Sequence, residues 1–348
     1  MGDFLSDVTE SAGATRRAFI GATVGTLLLP GLSSPARAST VDIGQVYEAA
    51  KREKRLTYYF SSAPAITDRL LAGFKAAYPG IEVDLFRLSP GPLGRRFEAE
   101  TSAGTYVADV LQIADPLLVG NAGAKGWLKE LTDLPAHDSF PMAFKTADSA
   151  VVRIDPHTVT YNSRLVKAGE APKAWTDLLD PRWKGKFLCP DLRISIMLIN
   201  WATLMADTYG ASFLTKLATQ DVRWTPSQIP GSQLLAAGEA QLLFPNQKQV
   251  TQPLIDTGAP LVDVVPGPFT GHESVLAIPA KAPHPNAAAL MANFIMSRKG
   301  AELLAKDISY SPLPDVPGAL PMPAKYQRVK PLEAIKRQAE IQELLKIK

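Results

Sequence analysis

The chain has 348 residues, a formal net charge of +3 at pH 7, and a hydrophobic content of 46%. A charge this weak and dispersed, with no basic stripe interleaved with aromatic residues, excludes a nucleic-acid-binding surface. The single cysteine, Cys189, cannot form an internal disulfide, and its position after Phe187-Leu188 predicts a small buried apolar residue rather than a reactive thiol.

Residues 1–38 have the pattern of an export signal. The pair Arg16-Arg17 precedes an apolar run from Ala18 to Leu32, and Ala36-Arg37-Ala38 is a small-x-small cleavage pattern. A run of about 15 residues spans about 22 Å as a helix, which is short for a hydrocarbon core of about 30 Å. The alternative is a buried amphipathic helix, but the run has no polar stripe. We therefore expect cleavage after about Ala38.

The arginine pair resembles the twin-arginine export motif. That resemblance implies that the twin-arginine translocase carries the folded protein across the inner membrane. Beyond residue 38 no segment of the sequence is long and apolar enough to span a bilayer. We therefore expect a soluble periplasmic protein.

Between Leu56 and Asp115 the hydrophobic pattern alternates between the periods of strands and helices. The predicted elements are, in order, a strand over Leu56 to Phe60, a helix over Ile66 to Ala77, a strand over Ile81 to Leu85, a helix from Gly91 and a strand over Val107 to Ile113. This order predicts an open α/β sheet, in which ligands bind outside the carboxyl ends of the strands. Ser61-Ser62 and Asp115 follow such ends and are the first candidate ligand contacts.

The chain is predicted to pass from a first lobe to a second through Ser149 to Tyr161, an extended run interrupted by Asp155-Pro156. A helix over Leu117 to Leu131 precedes it. The predicted second-lobe elements are a strand over Lys186 to Cys189, a helix over Ile196 to Tyr209 with Ser195 as N-cap and Gly210 as its stop, a helix over Phe213 to Ala218, a helix from Pro230, and strands over Gln241 to Phe244 and Leu261 to Val265. Ser274 to Ile278 is the predicted return passage.

Residues 39–348 exceed the length of about 250–300 residues that one hydrophobic core usually supports. We therefore predict two lobes, each an open mixed sheet flanked by helices, joined by the two extended crossovers. The first lobe takes residues 41–152 and 268–312. The second takes 153–267 and 313–348, and its last helix, Pro331 to Lys348, is predicted to pack across it.

Four segments in the same order resemble a periplasmic solute-binding protein, the receptor of an ABC importer. They are Phe74 to Val83, Arg96 to Val110 with its R-x-E and A-D-V residues, Tyr161-Asn162-Ser163 with Trp183-Lys184-Gly185-Lys186, and Val275 to Pro279 with Phe294 to Ser297. The match runs over most of residues 41–315 and is most similar to the ferric-ion-binding branch of the family 1 extracellular solute-binding proteins. The resemblance implies the type II two-lobe fold, closure of the lobes around a solute, and an inner-membrane permease as partner.

The metal ligands of the ferric-binding branch do not carry over. The resemblance places a histidine in the first turn, where this chain has Ser61 to Pro64, and adjacent tyrosines in a late turn, where it has Pro245 to Lys248. Tyr58 and Tyr59 are adjacent, but in a strand they point to opposite faces. We predict no metal ligands and no cofactor, with a ferric ion or a ferric chelate as the alternative ligand.

The residues at the predicted cleft favour a small organic anion, such as a carboxylate, a phosphonate or a sugar phosphate. Hydroxyl groups and backbone N–H groups at a helix N-terminus attract negative charge, and an arginine can grip a carboxylate or phosphate with two parallel hydrogen bonds. Amides suit the neutral polar groups of a ligand. The candidate contacts are Ser61, Ser62, Asp115, Arg193, Ser195, Gln228, Asn246, Gln247, His272 and Glu273. For each of them the alternative is a cap, a turn or a solvated face.

An enzyme is the hypothesis from another class. The sequence has no Gly-x-Ser-x-Gly elbow, no phosphate-cradling glycine-rich loop and no His-Glu-x-x-His motif. We therefore expect a monomeric binding protein rather than a hydrolase or a transferase.

Overall fold

The computed structural model describes residues 40–347. The predicted export signal, residues 1–38, lies outside the described residues. Within 40–347 no helix is long and apolar enough to cross a membrane.

Helices occupy both the beginning and the end of this part of the chain. They are α1 Ile43–Glu53, α2 Pro64–Ala77, α3 Pro90–Ser102, α4 Pro116–Ala124, α5 Pro135–Asp138, α6 Ile196–Tyr209, α7 Ala211–Ala218, α8 Gln228–Ala236, α9 Lys248–Asp256, α10 Pro285–Met296, α11 Arg298–Ala305, α12 Pro331–Lys336 and α13 Gln338–Leu344. The strands are β1 Arg55–Phe60, β2 Glu82–Arg87, β3 Val110–Ile113, β4 Leu128–Lys129, β5 Ser149–Asn162, β6 Phe187–Pro190, β7 Arg223–Thr225, β8 Leu242–Gln247, β9 Leu261–Val264 and β10 Gly271–Pro279.

The strands form one mixed sheet in the order β2-β1-β3-β10-β5-β8-β6-β7, with β4 paired to β10 and β9 paired to β5. The pairs of β1 with β2 and β3 are parallel, as are the pairs of β6 with β7 and β8. The long strand β5 joins the two halves because its first part pairs with β10 and its last part pairs with β8 and β9. The α/β architecture predicted from the sequence is confirmed.

Strand β5 is continuous, so the predicted interruption at Asp155-Pro156 is wrong. Pro156 faces Gly271 at the end of the ladder with β10, and the ladder with β8 begins one residue later at His157. A proline is tolerated in a strand where no ladder hydrogen bond requires its N–H. Gly271 lets the two backbones approach, since a Cβ there would lie 2.2 Å from the Asp155 carbonyl oxygen.

Each half of the sheet has a hydrophobic core on both faces. In the first half, Tyr58 packs in the cluster with Leu70 and Phe74, and Tyr59 packs on the opposite face. In the second half the larger cluster contains Trp175, Phe187, Cys189, Trp201 and Phe244, and a smaller cluster around Leu188, Leu235 and Leu243 covers the other face. These faces build the two lobes, and Cys189 is buried as predicted.

The C-terminal segment packs on both lobes. Leu320 and Tyr326 pack against the first-lobe cluster that contains Tyr59, whereas Ala334 and Ile341 belong to the large second-lobe cluster. The residue boundaries of the lobes stay a prediction.

Helix α6 has the bounds that the sequence predicts. The Ser195 Oγ accepts a hydrogen bond from the Met197 N–H at 3.2 Å, and Gly210 follows the last turn with a φ of +83°. A hydroxyl at the N-cap and a glycine after the last turn are the residues these positions favour.

Three predicted elements are wrong. The helix predicted over 117–131 ends at Ala124, because Gly126 takes a φ of +69° and the chain then enters β4. The turn predicted at Pro245 to Lys248 is the end of β8 followed by the start of α9. Pro245 lies where the register between β8 and β5 is irregular, so its missing N–H removes no hydrogen bond from the ladder. The last predicted helix is two short helices, α12 and α13.

Candidate ligand-binding site

A cavity of about 280 Å³ is lined by residues that follow strands in both halves of the sheet. The N-cap residues of five helices line it: Ala63 of α2, Ser89 of α3, Ser195 of α6, Ser227 of α8 and Gln247 of α9. A helix N-terminus carries unpaired N–H groups and a partial positive charge. Five of them around one cavity favour a negatively charged occupant.

Two of these caps leave a hydroxyl group for a ligand. The Ser195 hydroxyl caps its own helix, whereas the side chains of Ser89 and Ser227 make no capping hydrogen bond. The Ser61 Oγ accepts from the Ala114 N–H at 3.0 Å, so its own proton can be donated into the cavity.

Arg153, which lies within the predicted crossover but was not a predicted contact, is the main charged group of the cavity wall. Its side chain is 1% exposed, and its Nη2 donates to the Ser62 Oγ at 3.1 Å, the Asp155 Oδ2 at 2.9 Å and the Gln249 Oε1 at 3.2 Å. Its Nε and Nη1 are buried without a hydrogen-bond partner among residues 40–347. An unpaired buried donor is costly, so an acceptor that reached these nitrogens would gain free energy.

A second guanidinium, that of Arg87, lines the same cavity at the end of β2. It is half-buried, its Nε donates to the Ser62 carbonyl oxygen at 2.8 Å, and burial lowers its pKa. Within the described residues no ion pair joins it to a carboxylate. The lining contains one carboxylate, Asp155, which accepts from Arg153, from the Gln249 Nε2 at 2.9 Å and from the Ser309 hydroxyl at 2.6 Å. The two guanidinium groups therefore leave the wall with excess positive charge.

His272 also lines the cavity, and its ring stands perpendicular to that of His157 with the centroids 5.0 Å apart. Burial lowers the pKa of His157 to about 3. Burial, followed by the charges of His157 and Arg153, holds the pKa of His272 well below its ordinary value. His272 is thus a neutral imidazole at neutral pH, and its buried Nε2 has no partner within 40–347.

Five of the ten predicted contacts come together at this cavity. They are Ser61, Ser195, Gln228, Gln247 and His272. The Nε2 of Gln228 is buried without a partner in the described part of the chain.

Three predicted contacts are buried behind the wall. The Ser62 hydroxyl accepts from Arg153, and the Asn246 Nδ2 donates to the hydroxyls of Thr160 and Ser232, both at 3.0 Å. The buried Glu273 carboxylate forms an ion pair at 2.6 Å with Arg328, whose side chain is 41% exposed. These three side chains hold neighbouring groups in place instead of lining the cavity.

Asp115 and Arg193 line a neighbouring pocket of about 290 Å³, which shares Ile194 and Ser195 with the cavity. Asp115 caps α4 by accepting from the Leu118 N–H at 3.0 Å, and burial raises its pKa. The Arg193 fork grips Asp191, with Nε to Oδ1 at 2.9 Å and Nη2 to Oδ2 at 2.8 Å. Burial alone would raise the pKa of Asp191, but its hydrogen bonds and ion pair with Arg193 lower it.

The sequence contained one signal for the contacts that were missed. Arg153 and Asp155 stand two residues apart in an otherwise apolar strand pattern, which places both on one face of a buried strand. Charged residues are almost never fully buried unless they are paired, so their presence there indicates a built polar site. Gln249 lies in the first turn of α9, a helix that was not predicted from the sequence.

Within residues 40–347 no group of three or more His, Cys, Asp or Glu side chains could hold a metal ion. The Tyr58 hydroxyl donates to the Gln112 Oε1, and the Tyr59 hydroxyl donates to Glu100 at 3.0 Å on the other face of the sheet. The prediction that these tyrosines point to opposite faces is confirmed.

A sheet in two halves with a cavity lined by several helix N-caps is typical of ligand-binding proteins. The chain matches the bacterial extracellular solute-binding proteins over residues 69–330 and belongs to that family.

Solved structures show the same fold, that of the type II periplasmic binding proteins. A substrate-binding protein of an ABC transporter from Agrobacterium tumefaciens superposes with a TM-score of 0.76 at 15% identity, over 84% of this chain and 94% of that chain. AfuA of Actinobacillus pleuropneumoniae with bound fructose-6-phosphate gives 0.68 at 22% identity, over 84% and 99%. Iron-bound HitA of Pseudomonas aeruginosa gives 0.68 at 18%, over 83% and 99%.

A curated relative, an uncharacterized protein of Haemophilus influenzae, is 32% identical over 152 residues. The match covers 41% of this chain and 43% of the relative, so the chain spans about two fifths of that protein's length.

Proposed function

We propose that the protein is the receptor of an ABC importer, which captures a small organic anion between its lobes and delivers it to an inner-membrane permease. The ligand class is a carboxylate, a phosphonate or a sugar phosphate. The observation that carries this proposal is Arg153, a buried guanidinium whose Nε and Nη1 lack partners within 40–347 at a cavity ringed by five helix N-termini.

The two lobes supply complementary parts of the anion site. Ser61, Arg87 and Ser89 come from the first lobe, and Gln228 and Gln247 come from the second. Neither set surrounds a ligand alone, so a ligand that touches both binds the closed arrangement more tightly and shifts the population towards it. A closed form of this kind is a state that a permease can distinguish from the empty receptor.

The rest of the lining supports an organic ligand with hydroxyl groups. The Gln228 amide and the neutral His272 ring suit hydroxyl or carbonyl groups, and Ile194, Ile229 and Leu254 add an apolar wall. Among the similar folds, AfuA holds a sugar phosphate. A bare ferric ion fits poorly here, because two guanidinium groups stand where a cation would lie.

The test is a thermal-shift screen followed by titration calorimetry. The panel contains citrate, succinate, methylphosphonate and fructose 6-phosphate, with fructose, ferric ion and ferric citrate for comparison. A ligand at 100 times its dissociation constant should stabilise the protein by about 2.7 kcal/mol. We expect an anion to bind and fructose to fail. Tight binding of bare ferric ion, or of the neutral sugar alone, contradicts the anion proposal.

We further propose that the chain is exported to the periplasm by the twin-arginine route, with cleavage after about Ala38, and works there as a monomer without enzymatic turnover. The Arg16-Arg17 pair and the apolar run that follows support this location.

A further inference from the structure

Gln249, in the first turn of α9, occupies the anion site with its own side chain. It is 9% exposed and lines the cavity. Its Oε1 accepts from the Ala63 N–H and from the Arg153 Nη2, both at 3.2 Å. Its Nε2 donates to the Asp155 Oδ2 at 2.9 Å and to the Gln247 Oε1. The oxygen faces two donors and the nitrogen faces two acceptors, so the orientation of the amide is fixed.

We propose that Gln249 is an internal competitor for the ligand's anionic group, which makes it a residue that sets the affinity for anions. This inference rests on the proposed function. Its carboxamide oxygen stands where one ligand oxygen would accept from a buried guanidinium and from the N-terminus of α2. Charge-assisted hydrogen bonds are roughly twice as strong as neutral ones. A carboxylate or phosphate therefore displaces the amide oxygen, whereas the hydroxyl of a neutral solute gains too little to do so.

The same contacts tie the lobes together before a ligand arrives. Ala63 begins α2 in the first lobe, and Gln249 belongs to α9 in the second. The ligand-free protein thus satisfies part of the site with its own amide, and the ligand replaces that amide.

The first arm of the test needs no ligand and uses two glutamine-to-methionine variants of one helix. Gln249→Met keeps the side-chain volume but removes the hydrogen bonds. Gln252→Met is the matched control, because the Gln252 amide bonds Asp256 at 2.8 Å and does not line the cavity. Hydrogen exchange of the Ala63 amide should accelerate in Gln249→Met and stay at the wild-type rate in Gln252→Met. An unchanged exchange rate of the Ala63 amide in Gln249→Met would show that the hydrogen bond from Ala63 to Gln249 does not form in solution.

The second arm measures binding of fructose 6-phosphate, citrate and fructose to the same three proteins. Gln249→Met should bind the anions about fivefold more tightly, the worth of one net hydrogen bond. It should also widen the preference for fructose 6-phosphate over fructose, because a neutral hydroxyl that does not displace the amide gains less from its removal, while Gln252→Met keeps both wild-type values. Anion affinity that is equal to or weaker than wild type overturns the competition. If the wild type binds no anion of the full panel, the proposed function fails as well, so the two failures are distinguishable.

Discussion

At the scale of single residues, the site depends on an arginine that is only partly neutralised. Arg153 and Asp155 are each 1% exposed, and removing two charges from water costs several kcal/mol per ion unless hydrogen bonds satisfy both. Asp155 is satisfied by three donors, whereas Arg153 keeps two N–H groups without partners within 40–347. This partly satisfied guanidinium supports the proposal that a ligand supplies the missing acceptors.

Substitutions of Arg87 and Arg193 test which of the two neighbouring pockets binds the anion. Arg87→Met should weaken anion binding by about 10- to 150-fold, the equivalent of one charged contact of about 1.5–3 kcal/mol. Because Arg193 already grips Asp191 and lines the neighbouring pocket, Arg193→Ala should change affinity less than threefold, against the role the sequence suggested. Titration calorimetry measures the anion affinity of both variants. A larger loss of affinity in Arg193→Ala than in Arg87→Met would indicate that the anion binds in the neighbouring pocket.

The buried histidines predict a loss of stability in mild acid. The unfolded chain binds a proton at His157 near pH 6.5, whereas the folded protein does so only near a pKa of about 3. Stability therefore falls as the pH decreases through this window, by up to about 1.4 kcal/mol per pH unit for this residue. His157→Phe should reduce the slope of unfolding free energy against pH by about that amount. Urea titrations at pH 7, 6 and 5 measure the unfolding free energy of both proteins. Equal slopes against pH in the wild type and in His157→Phe would show that His157 does not cause the loss of stability.

At the scale of secondary-structure elements, chain order predicted most of the fold and the five of the ten candidate contacts that line the cavity. Residues that follow a strand or cap a helix, such as Ser61, Ser195 and Gln247, could be placed because the α/β pattern puts these ends at one edge. Helix α9 was missed because Pro245 precedes it and the apolar period is short. Arg153 was missed because a buried polar group depends on partners distant in sequence, such as Ser62 and Gln249.

The contact between β5 and β10 gives an element-scale prediction. Gly271→Ala would place a Cβ 2.2 Å from the Asp155 carbonyl oxygen, so two backbones must separate where the strands cross between lobes. Overpacking of this kind typically costs about 1–3 kcal/mol. The control Gly120→Ala, on an exposed turn of α4 with no atom within 4 Å of the new Cβ, should stabilise by about 0.5–1 kcal/mol. Denaturant unfolding measures the stability of both variants. Equal stabilities would show that the backbones of β5 and β10 can move apart at this crossing without a loss of stability.

At the scale of the whole molecule, the fold brings the N-termini of several helices, each with a weak dipole, to one cavity. Each lobe points the N-termini of separate helices at the cavity, α2 and α3 from the first lobe and α6, α8 and α9 from the second. Each terminus is worth about 0.3–1 kcal/mol to an anion when exposed and more when partly buried. Under the proposed function these contributions come from both lobes, so an anion would gain all of them only when the lobes are together.

Export is the last prediction at this scale, and it concerns the folded molecule as a unit. The twin-arginine route carries folded proteins, so under this proposal both lobes fold before the chain crosses the membrane. Replacing both Arg16 and Arg17 by lysine keeps the positive charge and the apolar run but removes the arginine pair. We expect precursor to accumulate in the cytoplasm, as measured by fractionation and immunoblotting, while the chain from Ser39 folds and binds ligand when made without the signal. Normal periplasmic delivery of the lysine form would reject the twin-arginine route and leave an export signal that does not require the arginine pair.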